Sequence, residues 1–238
     1  MCLHRMHRTD EAIVIQREVV GLRPDWPTGL INLAVMLAST GQLDESEALL
    51  IRALELDPDL AEVHPELGAV YLALADQALA GAGDKYVRIG CGFTFFERMY
   101  YLRGFENLMI DLHREEPKLA RLIAMVEDYN LVAVRKCLEL GAEYMNFGDD
   151  LGLQTSLPMS PSMWRKYIKP SYARMFDPCV KAGVPVYLHT DGHILEIIPD
   201  LVEVGVTVLN PQVGANGLHA LGEIARGRVA LDLDLDRQ

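Results

Sequence analysis

The sequence predicts an α/β protein in which a partial (β/α)8 TIM-type barrel of about five strands follows an all-α segment of helical hairpins. Up to about Gly81, apolar residues recur at helical spacing. From residue 85 onward, short β-branched and apolar segments alternate with amphipathic helices, which is typical of parallel β/α units. Polar residues also follow the predicted strands directly, where barrel enzymes carry their chemistry. We therefore expect two domains, over residues 1–81 and 85–238.

The first domain contains a repeated pattern. Pro24 and Pro58 are 34 residues apart and end similar phrases, VVGLRPDW and ALELDPDL. Between them, two apolar helical stripes flank a turn at Gly41. The pattern resembles the tetratricopeptide repeat, with one full copy over residues 27–60 and a half-copy on each side. Such a segment either binds a protein partner in its groove or serves as a structural cap or dimerisation element.

The second domain is predicted as five strands, each followed by a helix except the last. The predicted strands are Tyr86–Gly90, Glu143–Phe147, Val184–His189, Val206–Asn210 and Val229–Leu235. The predicted helices are Thr94–Leu102, Pro117–Leu140, Ser162–Ala182, Ile194–Val204 and Leu218–Ala225. In the last strand the leucines share one face, and Asp232, Asp234 and Asp236 share the other, which is either the barrel interior or an exposed edge.

Polar side chains gather just after the strand ends. They are Asp149, Asp150, His189, Asp191, Asn210 and Gln212. The carboxyl ends of parallel strands meet at one edge of a barrel or of a doubly wound sheet, so both folds predict the same site. No G-x-G-x-x-G phosphate loop follows any of these strands.

Several phrases of the second domain resemble the uroporphyrinogen decarboxylase superfamily, which includes porphyrinogen decarboxylases and corrinoid-linked methyltransferases. The phrases are YYLRGFENLMIDL, FGDDLGLQTSLPMSPSMWRKYIKPSYARMF, VPVYLHTDGHILEIIPDLVEVGVTVLNPQ and DLDRQ. The resemblance implies a (β/α)8 barrel. This chain departs from it in carrying five of the eight strands and in lacking the Arg-rich opening motif, the early aspartate and the late histidine. Arg98 falls near a position that the decarboxylases fill with tyrosine.

The resemblance implies a lyase that removes CO2 from a porphyrinogen or a similar polycarboxylate without a cofactor. Buried carboxylates would stabilise a cation on the protonated ring, and a histidine would supply the replacement proton. The candidate catalytic residues are Asp149, Asp150, His189 and Asp191. The candidate substrate-binding residues are Gln154, His193, Asn210, Gln212 and Arg98.

Each candidate also has a structural interpretation. One member of the Asp149–Asp150 doublet would point away from the mouth and bind backbone N–H groups if the pair extends the strand. His189 would fill the barrel top as a hydrogen-bonded core residue. Asp191 would cap the next helix, and His193 would lie in its first turn.

Two other functions fit the same residues. A corrinoid-dependent methyltransferase of the superfamily holds zinc with a His-x-Cys pair and a later Cys. Here His189 and Asp191 offer only two ligands and no thiolate, so we expect no metal. The other alternative is an inactive or fragmentary barrel that acts as an interaction module through its helical repeats.

The composition of the chain excludes some classes of binding partner and favours one cellular location. A formal net charge of −12 argues against nucleic acid, because phosphate binding needs clustered cations. No apolar run approaches the roughly 20 residues that span a bilayer, which predicts no membrane segment. The four cysteines are widely spaced, which favours reduced thiols and the cytoplasm. Open sheet edges would favour a homo-oligomer or a poorly stable chain.

Overall fold

The computed structural model describes residues 9–93 and 95–234, with the backbone alone at residues 91–93. The chain divides into two compact units, over residues 1–83 and 84–238.

The first unit is a series of antiparallel helices. They are α1 (Thr9–Leu22), α2 (Pro27–Ser39), α3 (Leu43–Leu56) and α4 (Val63–Ala80). Pro27 stands in the first turn of α2, where a missing N–H costs nothing. Small residues let α2 and α3 approach closely: Ala34 and Ala53 are fully buried, and the Ser46 hydroxyl donates to the Ala34 carbonyl at 2.7 Å. The predicted helical hairpins are therefore present.

The second unit is built on a parallel sheet of five strands within the described residues. They are β1 (Arg88–Phe93), β2 (Tyr144–Gly148), β3 (Val186–Thr190), β4 (Val206–Pro211) and β5 (Ala230–Leu231). The strands lie side by side in sequence order, and all four pairings are parallel. Gly148 pairs with His189, which pairs with Asn210, so the carboxyl ends of three strands are level. This register brings the loops after these strands to one edge.

Helices follow each of the first four strands. They are α5 (Phe96–Arg103), α6 (Phe105–Arg114) and α7 (Leu119–Glu139) after β1, and α8 (Pro161–Tyr167) and α9 (Lys169–Ala182) after β2. A 3-10 turn (Leu195–Ile197) and α10 (Ile198–Glu203) follow β3, and α11 (Val213–Asn216) and α12 (Leu218–Ala225) follow β4. Fully buried aromatic residues fill the layer between sheet and helices, among them Phe147, Trp164, Tyr172 and Phe176. Burial of such side chains is the main stabilising contribution to this unit.

Several predicted boundaries differ from the observed ones. The sequence did not predict α6 as a separate helix. The predicted helix over residues 162–182 is two helices that meet at Ile168, because Pro170 has no N–H to donate to the preceding turn. The predicted start of the first barrel helix, Thr94, lies outside the described residues.

The last strand is shorter than predicted. β5 covers two residues, although the N–H of Asp232 continues the ladder to the Leu209 carbonyl at 3.0 Å. Leu231 and Leu233 pack on the core, whereas Asp232 and Asp234 are exposed, as the alternation of the sequence predicts. Asp236 lies outside the described residues. No helix in the described part of the chain is long and apolar enough to cross a membrane.

Candidate active site

An open cavity of about 480 Å³ lies over one face of the sheet and reaches the carboxyl ends of β2 and β3. Side chains two residues apart on a strand share a face, which brings Asn146 and Gly148 of β2 beside Tyr187 and His189 of β3. The lining residues are Arg88, Glu97, Asn146, Phe147, Gly148, Asp150, Tyr187, His189 and Asn210. Three of the predicted site residues, Asp150, His189 and Asn210, thus meet in one cavity.

Asp149 points away from this cavity into the protein. Its carboxylate is fully buried and accepts hydrogen bonds from the backbone N–H groups of Phe95, Phe96 and Glu97 at 3.1, 2.8 and 2.8 Å, and from the Tyr172 hydroxyl. Burial raises the pKa of Asp149, and the four hydrogen bonds oppose that rise. Asp149 therefore fixes the start of α5, which is the structural role considered for one member of the doublet.

Asp150 and Glu97 bring two carboxyl groups to the cavity. The half-buried Asp150 accepts a hydrogen bond from the Asp191 N–H at 3.1 Å, and its own N–H donates to Glu97 at 3.3 Å. The Tyr100 hydroxyl donates to the other Glu97 oxygen at 3.0 Å. Burial, followed by the negative charges of Asp149 and Asp150, raises the pKa of Glu97. Glu97 is thus a candidate acid that the sequence did not reveal.

His189 is oriented by the neighbouring strand. Its Nδ1 lies 2.6 Å from the Asn210 amide oxygen, and the Asn210 amide group donates to the Asp232 carbonyl at 2.6 Å. Because an amide oxygen only accepts, Nδ1 carries a proton and Nε2 is left for other partners. Nε2 lies 3.9 Å from an Asp191 carboxylate oxygen. With a side chain 42% exposed, His189 can exchange protons with a bound molecule.

Two loops cross beside His189, and two glycines permit the crossing. A Cβ at Gly192 would lie 2.2 Å from the Gly152 backbone, and Gly192 has φ +80°. The Gly152 N–H donates to the Asp191 carbonyl at 3.1 Å, and the His193 N–H donates to the Leu153 carbonyl at 2.7 Å. The crossing fixes the backbone that carries Asp191.

His193 and Gln212 support this loop and do not line the cavity. His193 Nδ1 lies 2.9 Å from the Ala215 carbonyl, and its Nε2 lies 3.3 Å from Glu196. The Gln212 side-chain oxygen accepts from the Gly192 N–H at 3.1 Å. Asn216, which the sequence did not single out, completes the support by accepting from the Ile194 N–H at 2.8 Å.

The structure does not bring Arg98 or Gln154 to the cavity, so it gives no support to the substrate-binding roles predicted for them. The Arg98 guanidinium lies over the Tyr129 ring of α7, 4.5 Å from its centroid, because the side chain leaves α5 on the face toward that helix. Gln154 is exposed on the loop after β2.

Sequence reasoning missed six lining residues, of which Phe147 and Gly148 end β2 and four lie away from the strand ends. Arg88, Glu97, Asn146 and Tyr187 line the cavity although none follows a strand end. Three of them lie on strands and point into the cavity. Because alternate side chains of a strand share a face, the sequence would have indicated these three once the face toward the cavity was known. Glu97 had no such signal, because its place depends on how Asp149 fixes α5.

The rim also contains a group of metal-binding side chains. Asp150, His189 and Asp191 each offer one ligand atom, and these atoms lie within 4.8 Å of one another. One imidazole and two carboxylates are donors that zinc and other divalent cations accept. Of the cysteines with described side chains, Cys179 is buried in the core and Cys137 packs against it, so neither supplies a thiolate here.

A comparison with protein families identifies the class of protein to which the chain belongs. The model of the family described as uroporphyrinogen decarboxylase (URO-D) matches residues 51–216, more than half of the chain. The chain belongs to this family.

Among solved structures, a methyltransferase from Methanosarcina mazei matches with a TM-score of 0.59 and 16% identity, over 73% of this chain and 50% of that one. This confirms the α/β fold of TIM-barrel type. The chain spans half the length of that protein. A second match, to an O-GlcNAc transferase mutant from Thermobaculum terrenum, covers 87% of this chain and 41% of the transferase at 14% identity. Its TM-score is 0.25, so we base no argument on it.

A curated relative matches part of the chain. A TPR repeat-containing thioredoxin TTL4 from Arabidopsis thaliana is 30% identical over 74 residues, which is 31% of this chain and 11% of that protein. The helical hairpins of the first unit are consistent with this likeness.

Proposed function

We propose that the second unit is a carboxy-lyase that releases CO2 from a porphyrinogen or a similar polycarboxylate without a cofactor. The observation that supports this most is the convergence of Asp150, Glu97 and His189 on one open cavity, with Asp149 buried beneath it. Membership in the uroporphyrinogen decarboxylase family supports the same reaction class.

The proposed chemistry needs a proton donor and a negative charge. Glu97, whose pKa is raised, donates a proton to a ring carbon, and the Asp150 carboxylate stabilises the resulting cation. The bond between the side-chain methylene and its carboxylate then breaks, CO2 leaves, and the electron pair neutralises the ring. His189, with a proton on both ring nitrogens, donates the Nε2 proton to the methylene carbon and keeps the Nδ1 proton, and the ring returns its first proton to Glu97.

Release of CO2 from purified chain incubated with tetrapyrrole polycarboxylates tests the proposal. We expect Asp150→Asn and His189→Gln each to lower the rate about 100-fold or more, in line with the usual contribution of positioned acids and bases. His219→Gln is the matched control, because His219 is 93% exposed, lies outside the cavity lining and contacts Glu223 at 3.4 Å. Folded protein that releases no CO2 would contradict the proposal.

Corrinoid-dependent methyl transfer is the alternative that Asp150, His189 and Asp191 favour. These residues would hold a zinc ion, which activates a thiol for methylation in such enzymes. Equilibrium dialysis against zinc followed by metal analysis separates the two proposals. About one zinc per chain, lost in His189→Ala and retained in His219→Ala, would favour methyl transfer; no bound zinc favours the cofactor-free lyase.

A protein partner is proposed for the helical repeats. A groove of about 200 Å³ between α2, α3 and α4 is lined by Val35, Ala38, Leu43, Ser46, Leu50, Glu66, Ala69, Val70 and Ala73. If the folded chain neither decarboxylates nor binds zinc, an interaction module acting through this groove becomes the best remaining function.

A further inference from the structure

Arg88 is the one arginine or lysine among the described residues that line the cavity. It is exposed at the start of β1, whereas the carboxyl groups of Glu97 and Asp150 follow the ends of β1 and β2. A guanidinium offers five N–H donors in a planar fork that matches a carboxylate. Arg88 is therefore placed where a bound anion would meet it.

The guanidinium is held in place by its neighbours. Its central carbon lies 4.7 Å from the centroid of the Tyr187 ring and 5.7 Å from that of Tyr144. One terminal nitrogen donates to the Asn146 side-chain oxygen at 2.7 Å. Among the described residues, these contacts use the faces of the guanidinium and one of its N–H donors, so its other N–H groups can bind a ligand.

Arg88 has no carboxylate within ion-pair distance among the described residues, unlike Arg103 and Lys169 of the same unit. Arg103 pairs with Asp111 at 2.6 Å, and Lys169 pairs with Asp200 at 2.7 Å. The acidic neighbour Asp232 is engaged instead by the Tyr187 hydroxyl, which donates to it at 3.1 Å. Burial and Asp232 raise the pKa of Tyr187 to about 12, so this donor keeps its proton at neutral pH.

A decarboxylase gains nothing by binding the leaving carboxylate to a cation, because that stabilises the ground state more than the transition state. The leaving group belongs near Glu97 and Asp150, where negative charge favours its conversion to neutral CO2. Arg88 therefore suits a carboxylate that the substrate retains.

We propose that Arg88 binds a retained carboxylate of the substrate, which assigns the cavity a substrate with at least two carboxylates, one released and one kept. This inference rests on the proposed function for the nature of the reaction. It adds the group that orients the substrate and decides which carboxylate is lost.

An NMR titration of the full chain with pyrrole-2-carboxylate measures the site without any reaction. The neutral pyrrole-2-carboxamide, of nearly the same shape, isolates the contribution of charge. We expect Arg88→Met to weaken binding of the carboxylate about 10- to 100-fold and Arg88→Lys to weaken it less, because lysine keeps the charge and loses the fork. Arg228→Met is the matched control, since Arg228 is exposed before β5 and outside the cavity lining.

Equal binding of carboxylate and carboxamide by the unmodified protein, or binding of neither, would overturn the inference. So would full carboxylate binding by a folded Arg88→Met chain. Binding that depends on Arg88 without any CO2 release would contradict the proposed lyase and leave the carboxylate site standing. Release of CO2 with an unchanged KM in both Arg88→Lys and Arg88→Met would contradict the carboxylate site and leave the proposed lyase standing.

Discussion

Asp149 and Asp150 are adjacent and chemically identical, yet they face opposite environments. Asp149 is enclosed by three N–H groups and a tyrosine hydroxyl, whereas Asp150 opens on the cavity. The alternation of an extended chain accounts for the opposite directions. At the scale of single residues, one sequence doublet thus contains a structural and a candidate catalytic carboxylate.

Replacing Asp149 by asparagine should destabilise the second unit by about 3 kcal/mol, because an amide has one acceptor oxygen and brings N–H donors toward other donors. Tyr172→Phe removes one of the four hydrogen bonds and should cost about 1 kcal/mol. Urea unfolding followed by circular dichroism measures both values. Asp128→Asn, on the exposed surface of α7, is the control, and an equal loss there would refute the buried role of Asp149.

Glu97 should make stability depend on pH. Its folded pKa lies above the ordinary value of 4.5, so the folded state holds this proton more tightly than the unfolded state. That contribution is complete below 4.5 and is lost as pH rises through the folded pKa. The free energy of unfolding of Glu97→Gln relative to the unmodified chain should therefore increase across this interval. A difference independent of pH would contradict the raised pKa.

At the scale of elements, the site depends on the crossing of the loops after β2 and β3. Asp191 enters the rim because its carbonyl accepts from Gly152 and its N–H donates to Asp150. Neither loop has helical or strand structure at the crossing, so its geometry comes from glycine and backbone hydrogen bonds.

Gly192→Ala should cost about 3 kcal/mol, because the new methyl group meets the Gly152 backbone and a left-handed φ disfavours a side chain. Any binding or activity that requires Asp191 should also decrease in Gly192→Ala. Gly214→Ala is the matched control in α11, where a Cβ meets nothing within 4 Å. Thermal unfolding that is equally unaffected in both variants would show that the crossing tolerates side chains.

At the scale of the whole molecule, the parallel sheet ends in two strands that each have one partner among the described residues. β1 pairs with β2 and β5 pairs with β4, which leaves backbone N–H and carbonyl groups along two edges. Such edges favour pairing with another chain.

We therefore expect the isolated chain to self-associate or to unfold easily. Size-exclusion chromatography with light scattering should give a mass above that of one chain, or thermal scans should show a low, broad transition. A monodisperse monomer with a cooperative transition at high temperature would contradict this expectation.

Much of the fold was readable in the sequence, and the candidate site only in part. Periodicity predicted the five strands of the described residues and most of their helices, since burial imposes a period of 2 or 3.6 on apolar residues. It predicted Asp150, His189 and Asn210 as neighbours because parallel strands end at one edge. Arg98 and Gln154 lie outside the cavity. The direction in which a side chain points from a helix or a loop depends on tertiary packing, which no local sequence pattern encodes.

The sequence alone determined the order of elements, the family resemblance and the strand ends that carry polar residues, because these follow from local composition and spacing. Only the tertiary structure decided that Asp149 is buried and that Glu97 joins the cavity. It also decided that Arg88 lies over two tyrosine rings with no carboxylate partner among the described residues. These outcomes depend on contacts between residues some 50 positions apart. Such contacts form when strands align, so no single segment specifies them.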